Sequence, residues 1–292
     1  MTHQELQIIS SLTQPDASVE TAIRQLLDLT SAAASSTTVS VSDALFKHLN
    51  NTWHSLMEDV VANTAPAQQT ALVEFVRTLQ QQKVINPATG DQLLFDQDYN
   101  KAVWTEVPNF GINVADEWNF DPGASSPDPE EESQYYNKIA FLAQLTSSPA
   151  NFVPDAENQP GPFDFSLYAL WSFRHAFEGP AERRVPSTTL LRAASLWMIY
   201  AADRLRANVQ IKRDFRHKAS NSNPAQEGDG YLKQNKKWVG FNQERWEIWV
   251  KGLENGREVE DDEARGLVER ALKEVERVED QGWRVKDEEK FA

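Results

Sequence analysis

Residues 163–206 read FDFSLYALWSFRHAFEGPAERRVPSTTLLRAASLWMIYAADRLR, and this stretch decides the fold. Its first part is apolar almost all round. Phe165, Leu167, Tyr168, Ala169, Leu170, Trp171, Phe173 and Phe177 leave a thin polar strip of Ser166, Ser172, Arg174, His175 and Glu178. A helix apolar on every side is buried on every side. Asp164 can cap its start, because a carboxylate accepts from free N–H groups in the first turn. Gly179-Pro180 ends it, since proline cannot continue a helix. Pro186 or Ser187 opens a second helix. Its apolar run, Leu190 to Ala202, contains Arg192 and is far shorter than the ~20 residues that a bilayer span needs. The stretch predicts two consecutive soluble core helices, at about 164–178 and 187–207.

Working outward, apolar residues keep helical spacing. Ser18 precedes a stripe of Val19, Ile23, Leu26 and Leu27. Residues 31–40 are a small-residue linker. Ser40 and Asp43 have capping-box spacing before Leu45, Leu49, Trp53, Leu56 and Val60. Pro66 precedes Leu72, Phe75, Val76 and Leu79, and Asn86 to Gly90 is a turn by composition. Phe110, Val114 and Trp118 recur at helical spacing, and Glu130 to Thr146 starts with acids as the helix dipole favours. Residues 121–128, 147–162 and 219–230 read as loops, the last as a mobile one. Asn242 caps a helix carrying Trp246, Trp249, Val250 and Leu253. A charged helix follows at about 259–281, with Leu267, Ala271, Leu272, Val275 and Val278 as its stripe, packing loosely or extending away. No segment alternates with period two. The expectation is an all-α protein, a single bundle of about 8–10 helices around the central apolar pair. Its expected divisions are an extension at 1–40, a helical core at 41–255 and a charged C-terminal helix at 256–292.

Composition narrows the chemistry. The 292 residues contain no Cys, which removes disulfides, thiolate metal sites and thiol nucleophiles. The chain has 29 basic and 44 acidic residues, a net charge of −15. That disfavours nucleic acid and anionic membranes as partners. The local exception, Lys212 to Lys218, reads as a solvated helix end rather than a phosphate patch. The N-terminus shows neither the apolar core of a secretory signal nor an Arg-rich transit pattern, so a cytoplasmic or nuclear location is expected.

Three stretches carry a resemblance. They are VWTEVPNFGINVADEWN at 103–119 followed by NKIAFLAQLT; LYALWSFRHAFEG followed by LLRAASLWMIYAADRL; and KKWVGFNQERWEIWVKGL at the end. Together, over about residues 45–255, they resemble the fungal family called domain of unknown function 3632. The Trp-Val-Gly-Phe…Glu-Arg-Trp…Trp ending is the most specific part. The resemblance implies a helical, mostly intracellular protein. It carries over no catalytic residues.

Candidate site residues come from the chain itself. Arg174 and His175 are the sharpest polar feature of the first central helix. An Arg can clamp a carboxylate or phosphate and a His can exchange protons near neutral pH. Pairing with Asp or Glu is their ordinary use. Glu117, beside Trp118, is a carboxylate against an aromatic wall, a setting that raises its pKa; a salt bridge to Arg174 or Arg192 is the plainer alternative. Trp104, Trp118, Trp171 and Arg192 could line a ligand pocket, although Trp at helical spacing mostly fills volume. Trp246 and Trp249 share one helix face and, if exposed, would form an interaction surface.

Metal and cofactor motifs are missing: no His-Glu-x-x-His, no phosphate loop, no Gly-x-Gly-x-x-Gly and no nucleophile elbow. His48 and His54 lie six apart, off one helix face. Asp96/Asp98 and Asp261-Asp262-Glu263 do not make a magnesium motif. No metal and no cofactor is expected. Two readings remain. One is a helical scaffold docking an unidentified protein partner on the tail or on the 243–253 helix. The other is an enzyme or binder for a small aromatic or anionic metabolite, with a pocket between the central hairpin and residues 104–118 and with His175, Arg174 and Glu117 as its polar groups.

Overall fold

A computed structural model describes residues 3–118, 120–121, 128–148, 161–180, 186–215 and 223–280. Among these residues the protein is all-α, with ten helices and one two-stranded ribbon. Where the sequence suggested one bundle, contacts group the helices into two compact units. The first comprises residues 1–120 and 133–141, the second residues 121–132 and 142–292.

The first unit holds α1 (Gln4–Ser10), α2 (Val19–Ala34), α3 (Val41–His54), α4 (Thr70–Gln80) and α5 (Phe110–Asp116). Ser18 and Ser40 cap α2 and α3 by accepting from Thr21 N–H and Asp43 N–H, as their spacing predicted. α1 and α2 pack against α3, burying Ile9, Ile23 and Leu26 with Leu45, Leu49 and Trp53. α3 runs on into a π-helical stretch, Ser55–Val61. Such widened turns are rare and often sit at functional positions. The ribbon pairs β1 (Leu94–Phe95) with β2 (Lys101–Ala102) antiparallel. Tyr99 and Asn100 in its turn, and Trp104, Val107 and Asn109 beyond it, all have positive φ. Val107, at φ 40°, is held there by tight packing, because a β-branched residue rarely adopts that region unaided.

The long α6 (Pro129–Thr146) is capped by Asp128, which accepts from Glu130 N–H and Glu131 N–H. Its residues 133–141 group with the first unit and its ends with the second.

The second unit is built on the apolar pair, α7 (Ser166–Phe177) and α8 (Thr188–Gln210), with α9 (Gln243–Gly256) and α10 (Asp262–Asp280). α8 packs against α7, α9 and α10, so Leu191, Ala194, Trp197, Met198, Ala201 and Leu205 are all fully buried. Ser187 caps α8 and Asn242 caps α9. Asp164 stands one residue outside α7's own cap position. Its Oδ1 accepts Ser166 N–H at 2.9 Å, while Oδ2 holds Arg204 at 2.8 Å and also Arg213.

α10 corrects the expectation of a loose tail. It lies along α8, burying Ala264, Val268, Ala271, Val275 and Val278. These short side chains let the two helices approach closely. Arg277 then reaches Asp203, a nearly fully buried carboxylate on α8, at 2.5 Å. No described helix is long and apolar enough to cross a membrane.

Candidate functional site

The sharpest polar geometry lies at the C-terminal turn of α7. Glu178, the residue after the helix, is fully buried and faces Arg245 of α9, also fully buried. Arg245 Nε donates to Glu178 Oε1 at 2.8 Å and Nη2 to Oε2 at 2.9 Å. Its remaining N–H groups donate to the carbonyls of Ala225, Gly240 and Gln226. Trp238 and Trp249 flank the guanidinium, their ring centroids 5.0 and 5.8 Å from its carbon. Trp238, Gly240, Arg245 and Trp249 of the motif Trp-Val-Gly-Phe…Glu-Arg-Trp…Trp therefore form one constellation around a buried arginine. Such a pair is tolerable only because every lone pair and proton is matched.

Glu178 also anchors the segment Gln226 to Gly230. Gly228 N–H donates to Glu178 Oε2 and Gly230 N–H to the Glu178 carbonyl, both at 2.9 Å. A Cβ on Gly228 would come within 2.6 Å of Glu178, and one on Gly230 within 2.0 Å of the Gly179 carbonyl oxygen. Two glycines let this strap lie flat on the end of α7. The composition of 219–230 predicts a mobile loop. Within it residues 223–230 are ordered against α7, and 219–222 lie outside the described residues.

The strap and the last turn of α7 enclose a pocket of about 330 Å³. Arg174, His175, Asp121, Glu227 and Asp229 are its ionisable lining. Arg174 is half-buried and has no hydrogen bond or ion pair with any described side chain. Burial pulls its pKa below the usual value, with the carboxylates of Glu178 and Asp229 acting against that. Arginine remains a cation at any ordinary pH. His175 stands exposed at the rim. Partial desolvation, and then the charge on Arg174, push its pKa down, so it is neutral at pH 7. A neighbouring pocket of about 560 Å³ beyond Pro180 has its basic Lys236 tied to Glu244 at 2.5 Å.

The other candidates divide between the two units. In the second, Trp171 donates through Nε1 to the Pro224 carbonyl at 2.7 Å, which helps hold the strap's start. Arg192 is engaged by Asp261 at 2.8 Å and Glu263 at 3.0 Å. Trp246 and Trp249 are both fully buried, with their indole N–H groups on Glu279 and Glu178. They offer no exposed face, because the face they share is the one α9 turns to the core. The interaction surface expected there is corrected to packing. Arg213, expected on a solvated basic patch, is buried against Asp164; residues 216–218 of that patch lie outside the described residues.

In the first unit, Trp104 is fully buried and donates to Thr30 Oγ1 at 3.1 Å. Trp118 lies beyond the end of α5, edge-on to Tyr135 with ring centroids 5.4 Å apart. Glu117 sits 3.4 Å from His54 Nδ1 and shares a hydrogen bond with Glu58 of the π-helical turn. Its pKa is raised through burial first and the Glu58 carboxylate second. No group of three or more His, Cys, Asp or Glu among the described residues is arranged to hold a metal.

Sequence reasoning picked Arg174 and His175 but missed Glu227, Asp229 and the partnership of Glu178 with Arg245. The available signal was Gly228 and Gly230 two positions apart: paired glycines allow close backbone approach as readily as mobility.

What these features define is an all-α protein of two compact units, one of which carries a small charged pocket. The family described as "protein of unknown function (DUF3632)" matches residues 53–253, and the chain belongs to it. No curated protein and no solved structure matches the chain.

Proposed function

We propose that the protein binds a small metabolite bearing an anionic group, and that Arg174 receives that group. The observation that carries this reading is a guanidinium lining a pocket without an ion pair of its own among the described residues. Buried or half-buried cations are ordinarily paired within the protein, as Arg192, Arg204, Arg213, Arg245 and Arg277 are here. At about 330 Å³ the pocket lies at the lower end of the range for small-molecule sites. His175, neutral at pH 7, supplies one hydrogen-bond donor and one acceptor at the rim.

The scaffold reading loses its main support, because Trp246 and Trp249 are interior. A thermal-shift screen of small carboxylates and phosphates tests the proposal. Binders should raise the melting temperature of the wild type and fail to raise that of Arg174→Gln. Binding that persists undiminished in Arg174→Gln, or a complete lack of binders, overturns it.

A further inference from the structure

We infer that the ligand of the Arg174 pocket is a zwitterion carrying an ammonium group as well as a carboxylate, an amino acid or a close analogue. This rests on the reading of the pocket as a ligand site and adds the second charge. Besides Arg174, the ionisable lining is acidic: Asp121, Glu227 and Asp229. Glu227 is nearly buried, and its Oε1 accepts Lys237 N–H at 3.3 Å. Asp229 is exposed at the rim and makes no hydrogen bond or ion pair with any described side chain. Asp121 and Asp229 line the same pocket as His175. His175 itself adds no charge at neutral pH.

Among the described lining residues, the two carboxylates of Glu227 and Asp229 outnumber the one fixed cation, Arg174. A simple carboxylate or a phosphate would meet Arg174 favourably and the acidic rim unfavourably. A simple amine would meet the reverse. Only a ligand with both charges matches both, and mismatched charge in a partly desolvated site is what discriminates most strongly between ligands. The volume leaves space for a side chain beyond the two charged groups.

The test is calorimetry at pH 7.5 with two matched sets: 3-phenylpropionate, phenylalanine and 2-phenylethylamine; hexanoate, norleucine and pentylamine. In at least one set the zwitterion should bind about tenfold or more tightly than the carboxylate, the scale of one charge-assisted hydrogen bond. Asp229→Asn should cut zwitterion affinity while leaving the carboxylate unchanged or tighter. Arg174→Gln should weaken both, and Arg174→Lys should restore part of the binding, with circular dichroism melts confirming the fold of each variant. Equal affinity for carboxylate and zwitterion, both lost in Arg174→Gln, would overturn the zwitterion and leave the anion site standing. Tightest binding by the amines, or no binding by all six probes, would overturn the inference and the anion site together.

Discussion

Arg245 and Glu178 meet as a two-point pair, 2.8 and 2.9 Å between heavy atoms, with neither side chain reaching solvent. The pair ties three separate segments together: the end of α7 through Glu178, the strap through the carbonyls of Ala225 and Gln226, and α9 through Arg245 itself. Breaking a buried pair by removing one partner leaves an uncompensated charge, which costs about 3–5 kcal/mol. Arg245→Met should therefore destabilise by that amount in urea unfolding. Glu178→Leu combined with Arg245→Met should cost clearly less than the sum of the two single substitutions, since both charges go, although Trp249 Nε1–H and Gly228 N–H lose their acceptor. If the double substitution is the more damaging by the sum of the two singles, the pair is not acting as a unit.

A second polar knot holds the first unit together. Thr30 Oγ1 donates to the Leu26 carbonyl at 2.8 Å, accepts Trp104 Nε1–H at 3.1 Å and meets His48 Nε2 at 3.1 Å. His48 Nδ1 faces Glu5 Oε1 at 2.8 Å. Helices α1, α2 and α3 and the strained loop around Trp104 thus converge on one hydroxyl. Thr30→Val keeps the shape and removes the oxygen. It leaves the buried Trp104 N–H without its acceptor, which costs about 1–3 kcal/mol, whereas Thr30→Ser should cost clearly less. Urea midpoints of the two variants measure the difference, and equal midpoints would show that packing, not the hydroxyl, matters here.

The helices were legible because each carries its own local signal. Ser18, Ser40, Ser187 and Asn242 cap where their side-chain chemistry said they would. The run from Leu190 to Ala202 is buried except at the half-buried Arg192 and Tyr200, because the rest of it has little that is polar enough to face water. Long-range pairings were not legible. Arg245 finds Glu178 across 67 positions of sequence, and no periodicity announces which of the acids an arginine will meet. α10 was misjudged for a related reason. Its buried line of Ala264, Val268, Ala271, Val275 and Val278 has little apolar area per residue, so it reads as a weak stripe, although short side chains are what allow α8 to come close. Leu267 and Leu272, the larger residues of the expected stripe, are only half-buried. Arg174 and His175 could be named from the sequence, but the acids that complete their pocket lay in a segment whose glycines looked like slack.

The last prediction concerns acid. Burial pushes Glu58 up, yet hydrogen bonds from Glu117 and Lys138 outweigh it, so its pKa is lowered. Glu117 goes the other way, raised by burial and by Glu58. The two carboxyl groups are joined by a hydrogen bond, with Lys138 on Glu58 and His54 beside Glu117. The signs of the two linkages are opposite. Folding protonates Glu117 more readily than the unfolded chain does, so its contribution is present below the ordinary carboxylate pKa and is lost as pH rises through its folded value. Glu58 contributes above the ordinary value and loses that contribution as pH falls. Glu117→Gln keeps a neutral donor on Glu58 at every pH. Its stability relative to the wild type should rise as pH climbs from below 4.5 through the Glu117 titration, then level off. Glu58→Gln should lose stability relative to the wild type as pH rises from the lowered Glu58 pKa to the ordinary carboxylate value of 4.5, and keep that deficit at neutral pH, because Lys138 is left without its carboxylate. Urea unfolding across a pH series, with carboxyl carbon shifts followed by NMR, reads both effects. Parallel stability profiles for wild type and Glu117→Gln would show that the two carboxyl groups titrate independently.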